Sequence, residues 1–294
     1  MSERRAFFRE LASAAREARS ATDAAPAAPT PPEDVRLPRR DPDRLDDAEL
    51  ERYSRQLVLP GWTEAAQLAL RRSRVLVIGA GALGAPVAMY LAGAGVGHIG
   101  LIDDDDVELS NLARQLLHFT PDLGRPKAES AAAKLRFLNP EIVVEPYRVR
   151  LDPGNAAGLI AGQDLVVDCS DSFATRYAVN AACCAAGVAL VEGGVLGTSG
   201  LVMAIRPGRS ACYRCAFPEP PPSGAAATCA EAGVLGPAAG VVGSLQALEA
   251  LKLLGGVGEP LLDAFLQLDL AGADVLRVRV RRQAGCPDCA ARTL

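Results

Sequence analysis

The feature that most constrains how this chain can fold is a six-residue glycine loop. Gly79-Ala80-Gly81-Ala82-Leu83-Gly84 follows the apolar run Val75-Leu76-Val77-Ile78 and opens a helix predicted over Leu83 to Ala94. In a strand–loop–helix setting, G-x-G-x-x-G has a mechanical meaning. The first glycine makes the tight turn, the second lets backbone approach a phosphate, and the third lets helix and strand pack closely. The exposed N–H groups at the start of the helix then favour an anion. Asp103 ends the next predicted strand, 24 residues after Gly79, where a carboxylate can grip ribose hydroxyls. The loop by itself fits NAD as well as ATP.

The pattern of strand and helix then repeats. Predicted strands run over His98 to Ile102, Ile142 to Val149, Leu165 to Cys169 and Val188 to Glu192. Continuous apolar strands separated by helices imply a parallel sheet covered on both faces. After Gly200 the connections change, with predicted strands at Leu201 to Ile205, Ala264 to Leu268 and Val275 to Val280, and a long helix from Leu235 to Leu254 between them. The expected fold is α/β: a Rossmann-like mixed sheet flanked by helices, parallel in its first half and antiparallel at the far side. Arg277, Arg279 and Arg281 fit one face of a solvated edge strand. Residues 1–45 read as a short amphipathic helix, over 4–19, and an Ala/Pro-rich linker with little to bury. The folded domain is expected over residues 46–294, opening with a helix at Asp47-Ala48-Glu49-Leu50.

Charge and hydropathy exclude several classes. Thirty-one basic against 35 acidic residues give a net charge of -4, so the basic footprint of a nucleic-acid binder is missing. No uncharged apolar run of about 18 residues stands out, so no membrane span is expected. Arg4-Arg5-Ala6-Phe7-Phe8 resembles a twin-arginine signal, but Arg9, Glu10, Arg16, Glu17 and Arg19 interrupt the apolar stretch that export needs. Eight cysteines in 294 residues are too sparse for a disulfide framework. A cytoplasmic location is expected.

Beyond Asp103 the chain supplies cations. Asn111 and Arg114 follow the acidic run Asp103–Asp106, and Gly124-Arg125-Pro126-Lys127 puts a lysine at a helix start. A site that only moves hydride has no need of them; a site holding a triphosphate does. Asp171 lies just past the strand Leu165 to Cys169, at the end where ligands bind in open α/β sheets. It is equally placed to cap the helix that follows.

These segments, taken in order, carry a resemblance. Glu51-Arg52-Tyr53-Ser54-Arg55-Gln56, the glycine loop, Ser110-Asn111-Leu112 with Arg114-Gln115, and Arg125-Pro126-Lys127 come first. Asp168-Cys169-Ser170-Asp171-Ser172-Phe173-Ala174-Thr175-Arg176, Cys212-Tyr213-Arg214-Cys215, Cys229-Ala230-Glu231, Ser244-Leu245-Gln246-Ala247 and Cys286-Pro287-Asp288-Cys289 follow. From about Leu50 to Cys289 the chain resembles the ThiF/MoeB/HesA family of ubiquitin-activating-type adenylyltransferases, and most of all the molybdopterin-synthase-activating branch. Ala82 and Ala113 depart from the family's usual residues.

The resemblance implies ATP-dependent adenylylation of the C-terminal carboxylate of a small ubiquitin-like sulfur carrier ending in Gly-Gly, with release of pyrophosphate. It implies that Asp103 holds the ribose, that Arg55, Arg114 and Lys127 stabilise the phosphates, that Asn111 helps position them, and that Asp171 binds Mg²⁺. It also implies a homodimer in which Arg55 reaches into the other subunit's site. No appended sulfurtransferase domain follows Cys289, so a separate sulfur donor is expected.

Cys212-x-x-Cys215 and Cys286-x-x-Cys289 are two knuckles, each able to present two thiolates to one metal; one pair alone fits a redox dithiol, but two pairs together with the family resemblance favour a structural Zn²⁺ site. Cys229 follows a Pro-rich loop. In the thiamine-pathway branch a cysteine at the matching position takes part in sulfur transfer, so Cys229 is a candidate thiol. Cys169, Cys183 and Cys184, like His98 and His118, read as structural. Two other functions fit parts of the sequence. An NAD-dependent oxidoreductase explains the glycine loop and Asp103 but leaves Arg114, Lys127 and Asp171 idle. A non-enzymatic carrier-binding scaffold leaves the whole adenylylation set without purpose.

Overall fold

The structure is a computed structural model that describes residues 41, 43–221 and 233–290. The expected N-terminal helix, its linker and Cys229 lie outside the described residues. The first described helix is α1 (Asp47–Arg52), where Asp46 accepts from Glu49 N and Glu49 reciprocates as a capping box. The short α2 (Ser54–Leu57) and α3 (Glu64–Arg72) precede the sheet.

Eight strands form one sheet: β1 (Arg74–Ile78), β2 (His98–Ile102), β3 (Val143–Tyr147), β4 (Leu165–Asp168), β5 (Ala189–Leu196), β6 (Ser199–Ile205), β7 (Ala264–Asp269) and β8 (Asp274–Arg279). Their order is β3-β2-β1-β4-β5-β6-β7-β8. The first five are parallel to their neighbours, while β6, β7 and β8 run antiparallel. The mixed sheet expected from sequence is therefore present. The expected strand Ile142 to Val149 is shorter, and Pro146 sits in it without disrupting the sheet because β3 is an edge strand. At the other edge, β8 exposes Arg277 and Arg279.

Alternate residues of β1 feed two cores. Val75 and Val77 pack in the layer formed with α4 (Gly84–Ala94), α5 (Lys127–Leu138) and α9 (Gly236–Gly255). Leu76 and Ile78 face the opposite layer, with α6 (Ala156–Ile160), α7 (Phe173–Ala186) and the cysteine knuckles around α8 (Tyr213–Ala216). Burial on both faces explains why these strands read as unbroken apolar runs.

α9, the long helix expected near Leu235 to Leu254, has the length and apolar composition of a membrane span. It is a core helix all the same, because Glu249 and Lys252 lie within it and Ala239, Val242 and Ala250 are buried against the sheet.

β1 lies between β2 and β4, and the chain reverses direction of travel across the sheet there. That switch point opens a crevice beyond the carboxyl ends of the strands. The glycine loop after β1, Asp103 after β2 and Asp171 after β4 all rise from that end.

Candidate active site

Local geometry accounts for the glycine loop. Gly79 has φ +90°, a conformation that disfavours a side chain. A Cβ at Gly84 would lie 1.8 Å from the Gly79 carbonyl oxygen, so only glycine lets α4 start this close to β1. Gly81 differs from both. A Cβ there would meet only Gln115, at 3.6 Å, an ordinary contact. Nothing in the chain itself requires glycine at 81, as suits a position left open for a ligand. The Ala80 N–H donates to Asp103 Oδ2 at 2.8 Å, which fixes the acid against the loop, and Asp105 N donates to Asp103 Oδ1 at 2.9 Å. Burial raises the Asp103 carboxyl above its ordinary range, opposed by the Ala80 N–H and by Lys127.

Gly79, Gly81, Asp103, Arg114, Lys127 and Asp171 line one cavity of about 950 Å³. That volume suits a drug- or nucleotide-sized ligand. Lys127 is buried at the start of α5, with its Nζ 2.7 Å from Asp105 Oδ2. Arg114 donates through Nη1 to Ser110 O at 2.9 Å. Asp171 is exposed within the cavity wall and does not cap α7, because Ser172 does so by accepting from Thr175 N. The acid is thereby left available to a ligand or cation.

Three expected residues sit elsewhere. Gly84 packs beneath the loop. Asn111 is buried, with its Oδ1 accepting from Glu108 N at 3.2 Å. It shapes the turn that carries Arg114, whose N–H donates to Asn111 O at 3.0 Å. Arg55 is exposed on α2 and does not line this chain's own cavity.

The floor of the cavity holds groups to which sequence reasoning gave no role. Arg176 donates through Nη1 to Glu192 Oε1 and to Gly193 O (2.6 Å), and through Nη2 to Ser170 O (2.7 Å). It thus ties the end of β5 to the loop that presents Asp171. Burial and the neighbouring Asp168 push the Glu192 carboxyl well above its ordinary range, against the pull of Arg176. Gln246, from α9, donates to Asp168 O at 2.8 Å. Arg176 and Gln246 both stand in the sequence segments quoted above, but their partners include Glu192, 16 residues from Arg176, and Asp168, 78 residues from Gln246.

On the other face, the four knuckle thiols converge. Cys212 Sγ lies 3.8 Å from Cys215 Sγ and 3.6 Å from Cys286 Sγ, and Cys215 Sγ lies 3.5 Å from Cys289 Sγ. Ligands about 2.3 Å from a tetrahedral Zn²⁺ would be roughly 3.8 Å apart, so the spacing fits the metal, whereas a disulfide needs about 2.0 Å. The Cys184 thiol beside it and burial push the Cys212 thiol up, whereas a metal ion bound there would favour the thiolate. Asn180 Nδ2 lies 3.6 Å from Cys212 Sγ and donates to Asp288 Oδ2 at 2.6 Å, and Arg214 donates to the same oxygen at 2.9 Å. These bonds hold the two knuckles to each other and to α7.

Comparison with known proteins agrees with this construction. The ThiF family model matches residues 53–288. The chain is 48% identical over 246 residues to the sulfur carrier protein adenylyltransferase of Thermus thermophilus, covering 82% of this chain and 91% of that one. It is 47% identical over 247 residues to the adenylyltransferase and sulfurtransferase MOCS3 of Sus scrofa, covering 84% of this chain and 54% of that one. The chain therefore spans about half the length of that two-part relative. Among solved structures, E. coli MccB with AMPCPP and MccA matches with TM-score 0.73 and 25% identity, over 82% of this chain and 74% of that one. The family match covers most of the domain, including the glycine loop, Arg114, Lys127, Asp171 and the first cysteine knuckle, and the chain belongs to the ThiF family.

Proposed function

We propose that this chain adenylylates the C-terminal carboxylate of a small ubiquitin-like sulfur-carrier protein ending in Gly-Gly. The observation that carries this reading is the convergence of Gly81, Asp103, Arg114, Lys127 and Asp171 on one cavity. The names of the relatives point the same way. ATP is the nucleotide. The glycine loop and the N-terminus of α4 face its phosphates, Asp103 its ribose, and Arg114 and Lys127 the charge that grows as pyrophosphate departs. A terminal carboxylate oxygen of the carrier attacks the α-phosphorus, the bond to the β-phosphate oxygen breaks, and an acyl-adenylate remains. Asp171, exposed in the cavity wall and free of a capping role, would hold Mg²⁺, which when bound neutralises phosphate charge.

Sulfur is assigned to a separate donor. Among the described cysteines, Cys169 lines the cavity, and burial pushes its thiol well above the ordinary range, which makes it a poor nucleophile. Zn²⁺ on Cys212, Cys215, Cys286 and Cys289 is structural. The proposed setting is cytoplasmic, where a thiolate zinc site is compatible with cysteines that form no disulfide among the described residues.

The competing oxidoreductase reading separates cleanly at the first step. Calorimetric titration is expected to show Mg-ATP binding at least tenfold tighter than NAD. NAD binding tighter than ATP would reject the proposal.

Arg55 is proposed to act in a partner subunit of a homodimer. Its exposure outside its own cavity supports this placement. Arg55→Ala and Asp171→Ala proteins, each inactive alone, should regain activity when mixed under subunit exchange, because one mixed site is intact. Exchange without recovery would contradict the trans assignment.

A further inference from the structure

His118 lies outside the cavity lining, is 3% exposed, and stands in the loop before α5. Its Nε2 is 2.9 Å from Ala80 O, in the middle of the glycine loop, and its Nδ1 is 2.9 Å from Ser130 Oγ on α5. Lys134 Nζ donates to the same Ser130 Oγ at 2.8 Å and pairs with Asp122. Asp122 in turn accepts from Phe119 N at 2.7 Å.

A carbonyl oxygen only accepts, so His118 Nε2 carries a proton. An ammonium only donates, so Lys134 takes one lone pair of Ser130 Oγ. The hydroxyl then either donates to a bare Nδ1 of a neutral ring or accepts from the Nδ1–H of a charged one. The surroundings favour the neutral ring. Burial lowers the His118 pKa, and the charges facing it agree with a neutral ring: Lys134 and Lys127 disfavour protonation, and Asp122 alone favours it.

The peptides on both sides of Ala80 are then held, one by a site residue and the other from behind the loop. Ala80 N–H is held by Asp103, and Ala80 C=O by His118. Carbonyl and N–H of a trans peptide point in opposite directions, so the Gly81 N–H is turned away from His118. Among the described residues it has no hydrogen-bond acceptor. Gly81 itself lines the cavity, and nothing in the chain fills the space beside it.

We propose that His118 is a positioning residue: as an Nε2–H imidazole locked by Ser130 and Lys134, it pins the Ala80 carbonyl and so aims the Gly81 N–H at a nucleotide phosphate. The role rests on the nucleotide reading above. It assigns to the segment from His118 to Lys134 a second task besides presenting Lys127, that of holding the glycine loop in its anion-binding shape before the nucleotide arrives.

The first test is on the ligand-free protein. The sequence holds two histidines, so ¹⁵N spectra of histidine-labelled wild type and His118→Gln assign both rings by difference. His118 should show protonated Nε2 and bare Nδ1 across neutral pH; an Nδ1–H tautomer or an imidazolium would overturn the proposal. The second test is on ATP. His118→Leu should raise the ATP Kd and KM about tenfold, the scale of one lost hydrogen bond to a charged ligand's binding loop, with carrier KM unmoved. His118→Gln, whose amide can donate to Ala80 O, should recover to within about threefold of wild type. Should His118→Leu fail to fold, Ser130→Ala, which unlocks the tautomer, should still weaken ATP severalfold. A folded His118→Leu protein with lowered Tm and wild-type ATP affinity would show a merely structural residue and overturn this role alone. Wild type that fails to bind ATP would overturn the proposed function and this role together.

Discussion

Asp171→Ala is expected to reduce carrier-dependent pyrophosphate exchange by about 100-fold or more. The carboxylate stands exposed in the wall of the nucleotide cavity, beyond the carboxyl end of β4. Its removal takes away a fixed negative group that would hold the cation at the phosphates. Loss of one preorganised charge-stabilising group typically costs about 3 kcal/mol of transition-state stabilisation, which is a factor of that size. Folding should be untouched, because Asp171 is neither buried nor the cap of α7; Ser172 supplies that cap. The measurement is isotope exchange between pyrophosphate and ATP, alongside a melting curve. Near-normal exchange in the variant would remove Asp171 from the reaction.

Removal of the metal should act on stability. Cys212→Ser or Cys289→Ser is expected to lower zinc content and Tm together, because a closed four-thiolate site contributes its binding free energy to folding. The site joins α8 and the segment after β8 across 74 residues of sequence, so its loss frees the C-terminal end of the chain. A Tm decrease on the order of 10 °C is expected, the shift that roughly 3 kcal/mol produces in a domain of this size. Elemental analysis of freshly purified wild type should give one zinc per chain. Protein that contains no zinc, or that melts unchanged after Cys212→Ser, would contradict the structural metal centre.

What could be read from the sequence was local. The glycine loop, Asp103 and the parallel strands announce themselves within a few residues, because turn chemistry and apolar periodicity act over that range. The cysteine knuckles are legible as pairs, and their meeting follows from the family resemblance. Contacts made across the fold were not legible. His118 and its partner Ala80 are 38 residues apart, and Asn180 and Cys212 are 32 apart. Gln246 reaches Asp168 from a helix 78 residues away. A histidine without ligand-like neighbours in sequence reads as structural, yet here it touches the loop that gives the site its shape. Two assignments shifted for a physical reason. Asn111 turns inward because its amide completes the turn with Glu108, and it leaves the cavity to Arg114. Asp171 is released from capping because Ser172 is one residue better placed.

Transfer of an adenylyl group to a carrier's C-terminal carboxylate is tested most directly by intact-mass spectrometry of a Gly-Gly-ending carrier after incubation with the protein and Mg-ATP. The expected product is a carrier heavier by one adenylyl group, formed with wild type, lost with Asp171→Ala, and not formed on a carrier lacking its last two glycines. A carrier of unchanged mass under conditions where the protein binds both it and ATP would rule out the transfer.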